Sequence, residues 1–198
     1  MLTKFSSLIA QYINNNISNK SRFNINVLSY GIECILITFI PIIFYFIYSI
    51  VNNCLLAFIV WIIVFLIHRN NIGGFHASSH LKCLVLSTIY GIFSLSLISN
   101  FQLYGIISII FVFLFFTIIH IVLKPFIRND SHDLTIIQSK KKAVRSIIII
   151  FILTVLSFLY FNQMITNSIF IGYISSELLF LIYKFQLYIN ILKSGLRQ

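Results

Sequence analysis

A cysteine and a histidine, Cys83 and His76, stand seven residues apart in the polar stretch RNNIGGFHASSHLKC, Arg69 to Cys83. A thiolate with an imidazole beside it can attack a peptide carbonyl. On one straight helix, this spacing would separate the two side chains by about 10 Å along the axis, too far for a thiol and its base. The pair therefore predicts a break, so that the helix carrying Cys83 begins after His76.

The residues between the pair favour such a break. Gly73-Gly74 permits backbone conformations closed to other residues, and Ser78 or Ser79 is a suitable N-cap. Cys83 would then lie near a helix N-terminus, where the helix dipole and a nearby imidazolium stabilise a thiolate. Backbone N–H groups at the helix start, or at the Gly-Gly turn, would bind the developing oxyanion.

Two other interpretations of this stretch stay open. It could be an unreactive polar hinge between two helices. His76, His80 and Cys83 also have the i, i+4, i+7 spacing that offers three zinc ligands on one helix face. No glutamate follows the first histidine, as the HExxH arrangement of zinc proteases requires. The metal interpretation also needs the continuous helix that the Cys/His pair excludes.

Only four acidic residues are available to orient the histidine. Glu33 lies near the start of the first hydrophobic segment, and Asp130 and Asp133 lie in a basic segment further along. For each of them, a plain ion pair with Lys or Arg is the competing interpretation. Glu177 shares the last hydrophobic segment with Lys184, and both are expected to face a polar interior or to reach the interface.

These residues belong to a chain of 198 residues that is 59% hydrophobic and only 9% charged. Soluble domains are about a quarter charged, so the composition predicts an all-α integral membrane protein. The first 24 residues lack the unbroken apolar region and the cleavage site of a signal peptide, so the N-terminus is expected to stay on the mature protein. Stretches of about 20 apolar residues predict six transmembrane helices within a single domain, 1–198. The predicted spans are 28–51, 52–67, 81–99, 102–123, 146–162 and 168–192.

The positions of the fourteen Lys and Arg residues predict the orientation. Basic side chains cluster before span one, around 68–80, in the 124–145 loop and after span six, whereas the alternate connections carry none. Short basic loops stay in the cytoplasm, so both termini and the 68–80 loop are predicted to be cytoplasmic. The net charge of +10 favours anionic membrane lipid as a partner.

The N-terminal segment, 1–26, precedes the bundle at 27–198 and is amphipathic. Apolar side chains recur at helical spacing: Phe5, Leu8, Ile9, Tyr12 and Ile13. Such a helix is expected to lie flat on the inner membrane surface. Packing beneath the transmembrane bundle is the alternative.

The stretch Arg69 to Cys83 resembles the Arg, Gly-Gly, His, six residues, Cys signature of the accessory gene regulator B proteins, membrane cysteine endopeptidases of bacterial quorum sensing. The resemblance extends to YGIE at Tyr30–Glu33 and to Lys124-Pro125, followed by the basic run Lys140–Lys142. The amphipathic start, the size and the six-span layout also fit, so the resemblance covers essentially the whole chain. The chain departs from the family pattern in two ways: its loop holds less proline than expected, and His80 adds a second imidazole near Cys83. Both departures leave open which peptide is recognised.

The resemblance implies a bacterial cell-membrane enzyme that processes an AgrD-like propeptide of an autoinducing peptide. By this carry-over, Cys83 is the nucleophile and His76 the general base. Cleavage releases an acidic C-terminal tail and leaves a thioester on Cys83, and an internal cysteine of the peptide then closes a thiolactone ring. No cofactor, metal or nucleic acid is expected, and a homodimer is compatible with the resemblance.

Further residues are assigned to this site. Those expected to support the catalytic pair are Arg69, Gly73, Gly74, Glu33 and Ser87. Those expected from their charge to dock the acidic tail are Lys124, Lys140, Lys141, Lys142 and Arg145.

Functions of other classes stay in competition. A small transporter or peptide exporter would use Glu33, Glu177 and Lys184 along a polar path. A membrane scaffold or sensor partner would need none of these residues. Thiol alkylation distinguishes them, because only the enzyme depends on Cys83.

Overall fold

The computed structural model of the chain describes residues 2–16, 24–72, 79–100, 105–123 and 133–195. Within these ranges every regular element is an α-helix, which confirms the all-α prediction. The helices are α1 (Leu2–Asn16), α2 (Ile25–Val51), α3 (Leu55–Ile72), α4 (His80–Asn100), α5 (Ile106–Leu123), α6 (Asp133–Tyr160) and α7 (Gln163–Gly195).

Five of the described helices, α2, α3, α4, α6 and α7, are long and apolar enough to cross a membrane. In α5 the apolar stretch, Ile106–His120, is shorter. Large apolar side chains such as Phe39, Phe93 and Phe111 are exposed on these helices, where hydrocarbon solvates them better than water. The residues that the structure describes thus form an all-helical membrane protein with five long candidate spans and one shorter apolar helix, beside the six spans predicted.

The largest departure from the predicted boundaries is at α6. The prediction places 124–145 in a loop, but α6 begins at Asp133, so Lys140–Lys142 and Arg145 are helical. Lys, Arg and Gln have helix propensities close to that of Ala. Charge therefore ends the hydrophobic stretch without ending the helix.

The helices α3 and α7 also differ from their predicted spans. α3 begins at Leu55 and not at residue 52, because Asn53 lies in the turn after α2 with a φ of 52°, a left-handed conformation that Asn tolerates. The end of α3 extends past residue 67 to Ile72, so His68 and Arg69 are helical. α7 runs over Gln163–Gly195 rather than 168–192.

Two compact units make up the chain, and the first comprises Met1–Tyr48 and Ala77–Phe93. Its helix α1 buries Ser6 and Ala10 fully, while Phe5, Leu8 and Tyr12 are more than half exposed. Small side chains thus make the contacts of α1 with the protein. The exposed apolar stripe is the one predicted to lie on the membrane surface.

A close approach between α2 and α4 lies within the first unit, at Tyr45 and Gly91. The Tyr45 ring occupies the space that a Cβ on residue 91 would need. The Tyr45 hydroxyl donates to the carbonyl oxygen of Ser87. Only glycine permits this approach, because any other residue would place a Cβ inside the ring.

The second unit comprises Ser49–His76 and Ser94–Gln198. Its helix α7 packs against α3, α5 and α6. The buried core of these helices is Val64, Ile109, Phe113, Phe116, Ile147, Ile150, Ile169, Phe170 and Tyr173. The Phe113 and Tyr173 rings stack with their centroids 4.2 Å apart. At Gly172, α7 comes so near α3 that a Cβ would lie 3.0 Å from the Trp61 carbonyl oxygen.

Candidate functional site

The thiol of Cys83 lies in the first turn of α4 and is partly exposed. The Cys83 N–H donates to the Ser79 carbonyl oxygen at 3.0 Å, and the Lys82 N–H donates to the Ser79 hydroxyl at 3.4 Å. Ser79 is therefore the N-cap, one of the two serines predicted for that role. Because α4 begins at His80, the predicted helix start between His76 and Cys83 is confirmed.

Several predicted partners of Cys83 lie outside the described residues. They are His76, Gly73 and Gly74, together with the side chain of His80. The Cys83–His76 contact therefore stays a prediction. The alternative zinc set of His76, His80 and Cys83 on one helix face is wrong, because α4 begins only at His80.

Ser87 lies one turn after Cys83 on α4. Its hydroxyl donates to the Leu84 carbonyl oxygen at 3.0 Å, and its carbonyl oxygen accepts from Tyr45. The hydroxyl is thus engaged within its own helix. Through its carbonyl group, Ser87 helps to hold α2 against the helix that carries the thiol.

Glu33 is buried in α2, where it is 7% exposed. Its Oε1 accepts a hydrogen bond from the Ser6 hydroxyl at 2.9 Å, and the Ser6 and Ser29 hydroxyls lie 3.0 Å apart. Because Ser6 belongs to α1, this carboxylate holds the amphipathic helix on α2. A role of Glu33 in orienting His76 is still a prediction.

Arg69 lies in the last turn of α3 and is half-buried. Its guanidinium carbon is 5.7 Å from the centre of the Phe65 ring. This cation–π contact fixes the side chain one turn back along its own helix. Arg69 is also the first residue of the polar stretch that ends at Cys83.

The basic residues predicted to dock the acidic tail are partly described. Lys141, Lys142 and Arg145 are exposed on α6. Lys142 and Arg145 line a groove of about 260 Å³ together with Asn71 and Ser146. Lys124 lies outside the described residues, as do the side chain of Lys140 and the acidic candidates Asp130 and, for its side chain, Asp133.

A second polar cluster, formed by His68, His120 and Glu177, was not predicted. The Nε2 atom of His68 lies 2.7 Å from Oε1 of Glu177, and Nε2 of His120 lies 2.9 Å from each of the two Glu177 carboxylate oxygens. The expectation that Glu177 faces a polar interior is confirmed. Lys184 instead places its Nζ 5.2 Å from the centre of the Phe180 ring.

A signal for this cluster was present in the sequence. His68, His120 and Glu177 are each ionisable residues at the edge of, or inside, a strongly apolar segment, where such residues nearly always face one another. They lie on α3, α5 and α7, and the separations of 109 and 57 residues hide their contact. One ligand atom from each lies within 4.8 Å of the others, an arrangement with the geometry to hold a metal ion.

Comparison with known proteins identifies the family to which the chain is similar. A family model described as Accessory gene regulator B matches residues 6–187, most of the chain. No curated protein matches the chain. No solved structure matches it either.

Proposed function

Since the chain belongs to the accessory gene regulator B family, we propose that it is a membrane-embedded cysteine endopeptidase of autoinducing-peptide processing. Membership of this family is what supports a role in peptide processing. The proposed substrate is an AgrD-like propeptide, which loses its C-terminal tail on the cytoplasmic side. The observation that best supports Cys83 as the nucleophile is its partly exposed thiol in the first turn of α4, just after the Ser79 cap.

The first chemical step is acyl transfer to Cys83. His76 takes the thiol proton, and the sulfur attacks the carbonyl carbon of the scissile peptide bond. The tetrahedral intermediate collapses as the C–N bond breaks, and His76 returns the proton to the leaving amine. The tail departs with a free amino group, and the rest of the propeptide stays on Cys83 as a thioester.

The second step closes the ring. A cysteine thiolate within the bound peptide attacks the thioester carbon, a new C–S bond forms, and Cys83 leaves as a thiolate. This outcome requires the peptide thiol to be held near the thioester while water is excluded. A site bordered by lipid suits both requirements.

The start of α4 supplies groups for the oxyanion of both steps. In an α-helix the first N–H groups have no acceptor inside the helix. The N–H of Lys82 is engaged by Ser79 and that of Cys83 by the Ser79 carbonyl oxygen, which leaves His80 and Leu81 as the proposed donors. The positive end of the helix dipole adds to their effect.

The acidic tail is proposed to dock on the basic face of α6. Lys141, Lys142 and Arg145 are exposed there, and Asn71 adds an amide to the groove beside them. Complementary charge of this kind steers association and fixes register more than it adds affinity. The proposed orientation places this face, both termini and the 68–80 segment in the cytoplasm, because the α2–α3 and α6–α7 connections hold no Lys or Arg.

Trapping the acyl-enzyme tests the proposal. A propeptide whose internal cysteine is replaced by alanine cannot close the ring, so the thioester should accumulate on Cys83 and be released by hydroxylamine. Intact-protein mass spectrometry of the full-length chain should show this adduct with wild type and with Cys34→Ala, and not with Cys83→Ala. An adduct on Cys83→Ala would refute the assignment of the nucleophile.

A transporter is the competing function, and the surroundings of Glu177 disfavour it. The Glu177 side chain is completely enclosed, with His68 and His120 against its carboxylate. A residue on a transport path must meet its cargo. Normal cleavage and release of the peptide by Lys184→Gln, with cleavage lost in Cys83→Ala, is the result that separates the two functions in favour of the enzyme.

A further inference from the structure

The buried cluster His68, His120 and Glu177 takes no part in the chemistry proposed for Cys83. His68 and Glu177 are fully buried and His120 is 3% exposed. Ionisable groups in the apolar part of a membrane protein are costly and are kept where they bind something or pair with one another. The three side chains together offer ligands for a cation.

The ligand set is typical of zinc. Two imidazole nitrogens and one carboxylate form the protein ligands of many catalytic zinc sites. Here both Nε2 atoms and the carboxylate face one another within 4.8 Å. The His68 and His120 rings are nearly perpendicular, at 87°, and their Nε2 atoms lie 2.7 and 2.9 Å from Oε1 of Glu177.

The Ser146 hydroxyl contacts Nδ1 of His68, whereas Nε2 of the same ring faces Glu177. Ser146 has one hydroxyl hydrogen, which it donates to the Ala143 carbonyl oxygen at 2.8 Å. With its hydrogen there, Ser146 can only accept from Nδ1 of His68, 2.9 Å away, which requires the His68 tautomer with its hydrogen on Nδ1. A neutral His68 then carries its hydrogen on Nδ1 and directs the lone pair of Nε2 at Glu177.

Two lone pairs thus face each other across 2.7 Å, one on His68 Nε2 and one on Glu177 Oε1. They require a cation: a proton fits at this distance, whereas a zinc ion bound by both atoms would move them about 3.3 Å apart. An outer hydrogen bond from Nδ1 that orients a ligating histidine is the usual arrangement in metal sites. Ser146 supplies that bond here.

The second carboxylate oxygen of Glu177, Oε2, has an ion-pair contact with Nε2 of His120 at 2.9 Å but no hydrogen bond of acceptable geometry. Within the described residues, Nδ1 of His120 has no such hydrogen bond either. The Tyr173 hydroxyl also has no hydrogen-bond partner among the described residues, and the centre of its ring is 5.1 Å from that of His68. A divalent cation would engage Oε2 and offer a fourth position towards Tyr173.

We propose that His68, His120 and Glu177 bind one zinc ion, which links α3, α5 and α7 inside the second unit. The complete burial of the ligands assigns the ion a structural role, since no substrate reaches it. The site is independent of the Cys83 chemistry, and either proposal can fail without the other. An ion that joins three helices should also raise the thermal stability of the protein by mass action.

The test is the zinc content of the full-length protein, purified in detergent without a polyhistidine tag, stripped with chelator and re-equilibrated with Zn²⁺. After desalting, wild type should retain one zinc per chain by mass spectrometry of the metal. X-ray absorption at the zinc edge should show two imidazole ligands, oxygen ligands and no sulfur. Glu177→Gln, His68→Gln and His120→Gln should each lose the ion.

Two control variants distinguish zinc bound at this cluster from zinc bound elsewhere on the chain. Glu33→Gln changes another buried carboxylate, and Cys83→Ala removes the thiol of the alternative zinc set, so both should keep the ion. Ser146→Ala should weaken zinc binding about 10- to 100-fold, the usual effect of removing an outer hydrogen bond.

Other results would overturn the proposal. Wild type without zinc above background would show that a proton alone bridges the cluster. Zinc lost in Cys83→Ala but kept in Glu177→Gln, or sulfur in the absorption spectrum, would place the metal elsewhere. Should a ligand variant fail to fold, the zinc content and ligand spectrum of wild type still decide the question.

Discussion

The backbone N–H of Cys83 donates to the carbonyl oxygen of Ser79, 3.0 Å away. This is the first backbone hydrogen bond of α4. The Ser79 hydroxyl also accepts from the N–H of Lys82, and the two bonds together fix where the helix begins. The thiol consequently lies at the positive end of the helix dipole. Its position depends on the cap, which leads to the first prediction.

Ser79→Ala should weaken the start of α4 by about 1 kcal/mol, the typical cost of losing an N-cap side chain. Amide exchange at Lys82 and Cys83 should accelerate, and alkylation of Cys83 should slow in a background lacking Cys34 and Cys54. Ser79→Asp keeps a capping oxygen and should restore both values. Unchanged exchange in Ser79→Ala would mean that Ser79 does not set the helix start.

Breaking the hydrogen bond between Ser6 and Glu33 should loosen α1. Both side chains are buried, so a double-mutant cycle with Ser6→Ala and Glu33→Gln should give a coupling of about 1–2 kcal/mol. Hydrogen exchange along Leu2–Asn16 reports the loosening. Ser7→Ala is the matched control, since that hydroxyl only donates to the Lys4 carbonyl oxygen of its own turn. Equal effects of Ser6→Ala and Ser7→Ala would contradict the anchoring role.

Gly91→Ala should destabilise the protein by about 1–3 kcal/mol through overpacking, because the new Cβ would meet the Tyr45 ring. Gly31→Ala is the control on α2, where a Cβ has nothing within 4 Å, and it should be neutral or stabilising. Thermal unfolding in detergent measures both. Adding Tyr45→Leu to Gly91→Ala should recover part of the loss. A harmless Gly91→Ala would exclude the close approach.

Removing charge from the α6 groove should weaken tail recognition. The pair Lys142→Ala and Arg145→Ala should raise the propeptide concentration needed for half-maximal cleavage and reduce its dependence on salt, since charge steering is screened. The charge-preserving exchange of Lys142→Arg with Arg145→Lys should keep most of the recognition. If both double variants behave alike, the tail docks elsewhere.

Sequence patterns predicted those features that depend on neighbouring residues. The start of α4 followed from Ser79 and from the need to separate His76 and Cys83, and the exposed stripe of α1 followed from helical spacing. Boundaries set by hydropathy failed at α6, because the Lys140–Lys142 run is polar and yet a good helix former.

The His68–His120–Glu177 cluster could not be placed from neighbouring residues. Its members come from three helices, and only the packing of α7 against α3 and α5 brings them together. The hydrogen bond from Ser6 to Glu33 has the same origin, since a serine in an amphipathic helix carries no sign of a partner 27 residues away. The information that the sequence lacked for both contacts was which helices pack together in the membrane.

Cleavage of the cognate propeptide in cells that express the full-length chain tests the central claim most directly. Immunoblotting of a tagged propeptide should show complete loss of cleavage with Cys83→Ala and with His76→Ala, while Cys34→Ala, a change at an exposed cysteine of α2, cleaves like wild type. All three variants should reach the membrane in equal amounts. Normal cleavage by Cys83→Ala would contradict the account.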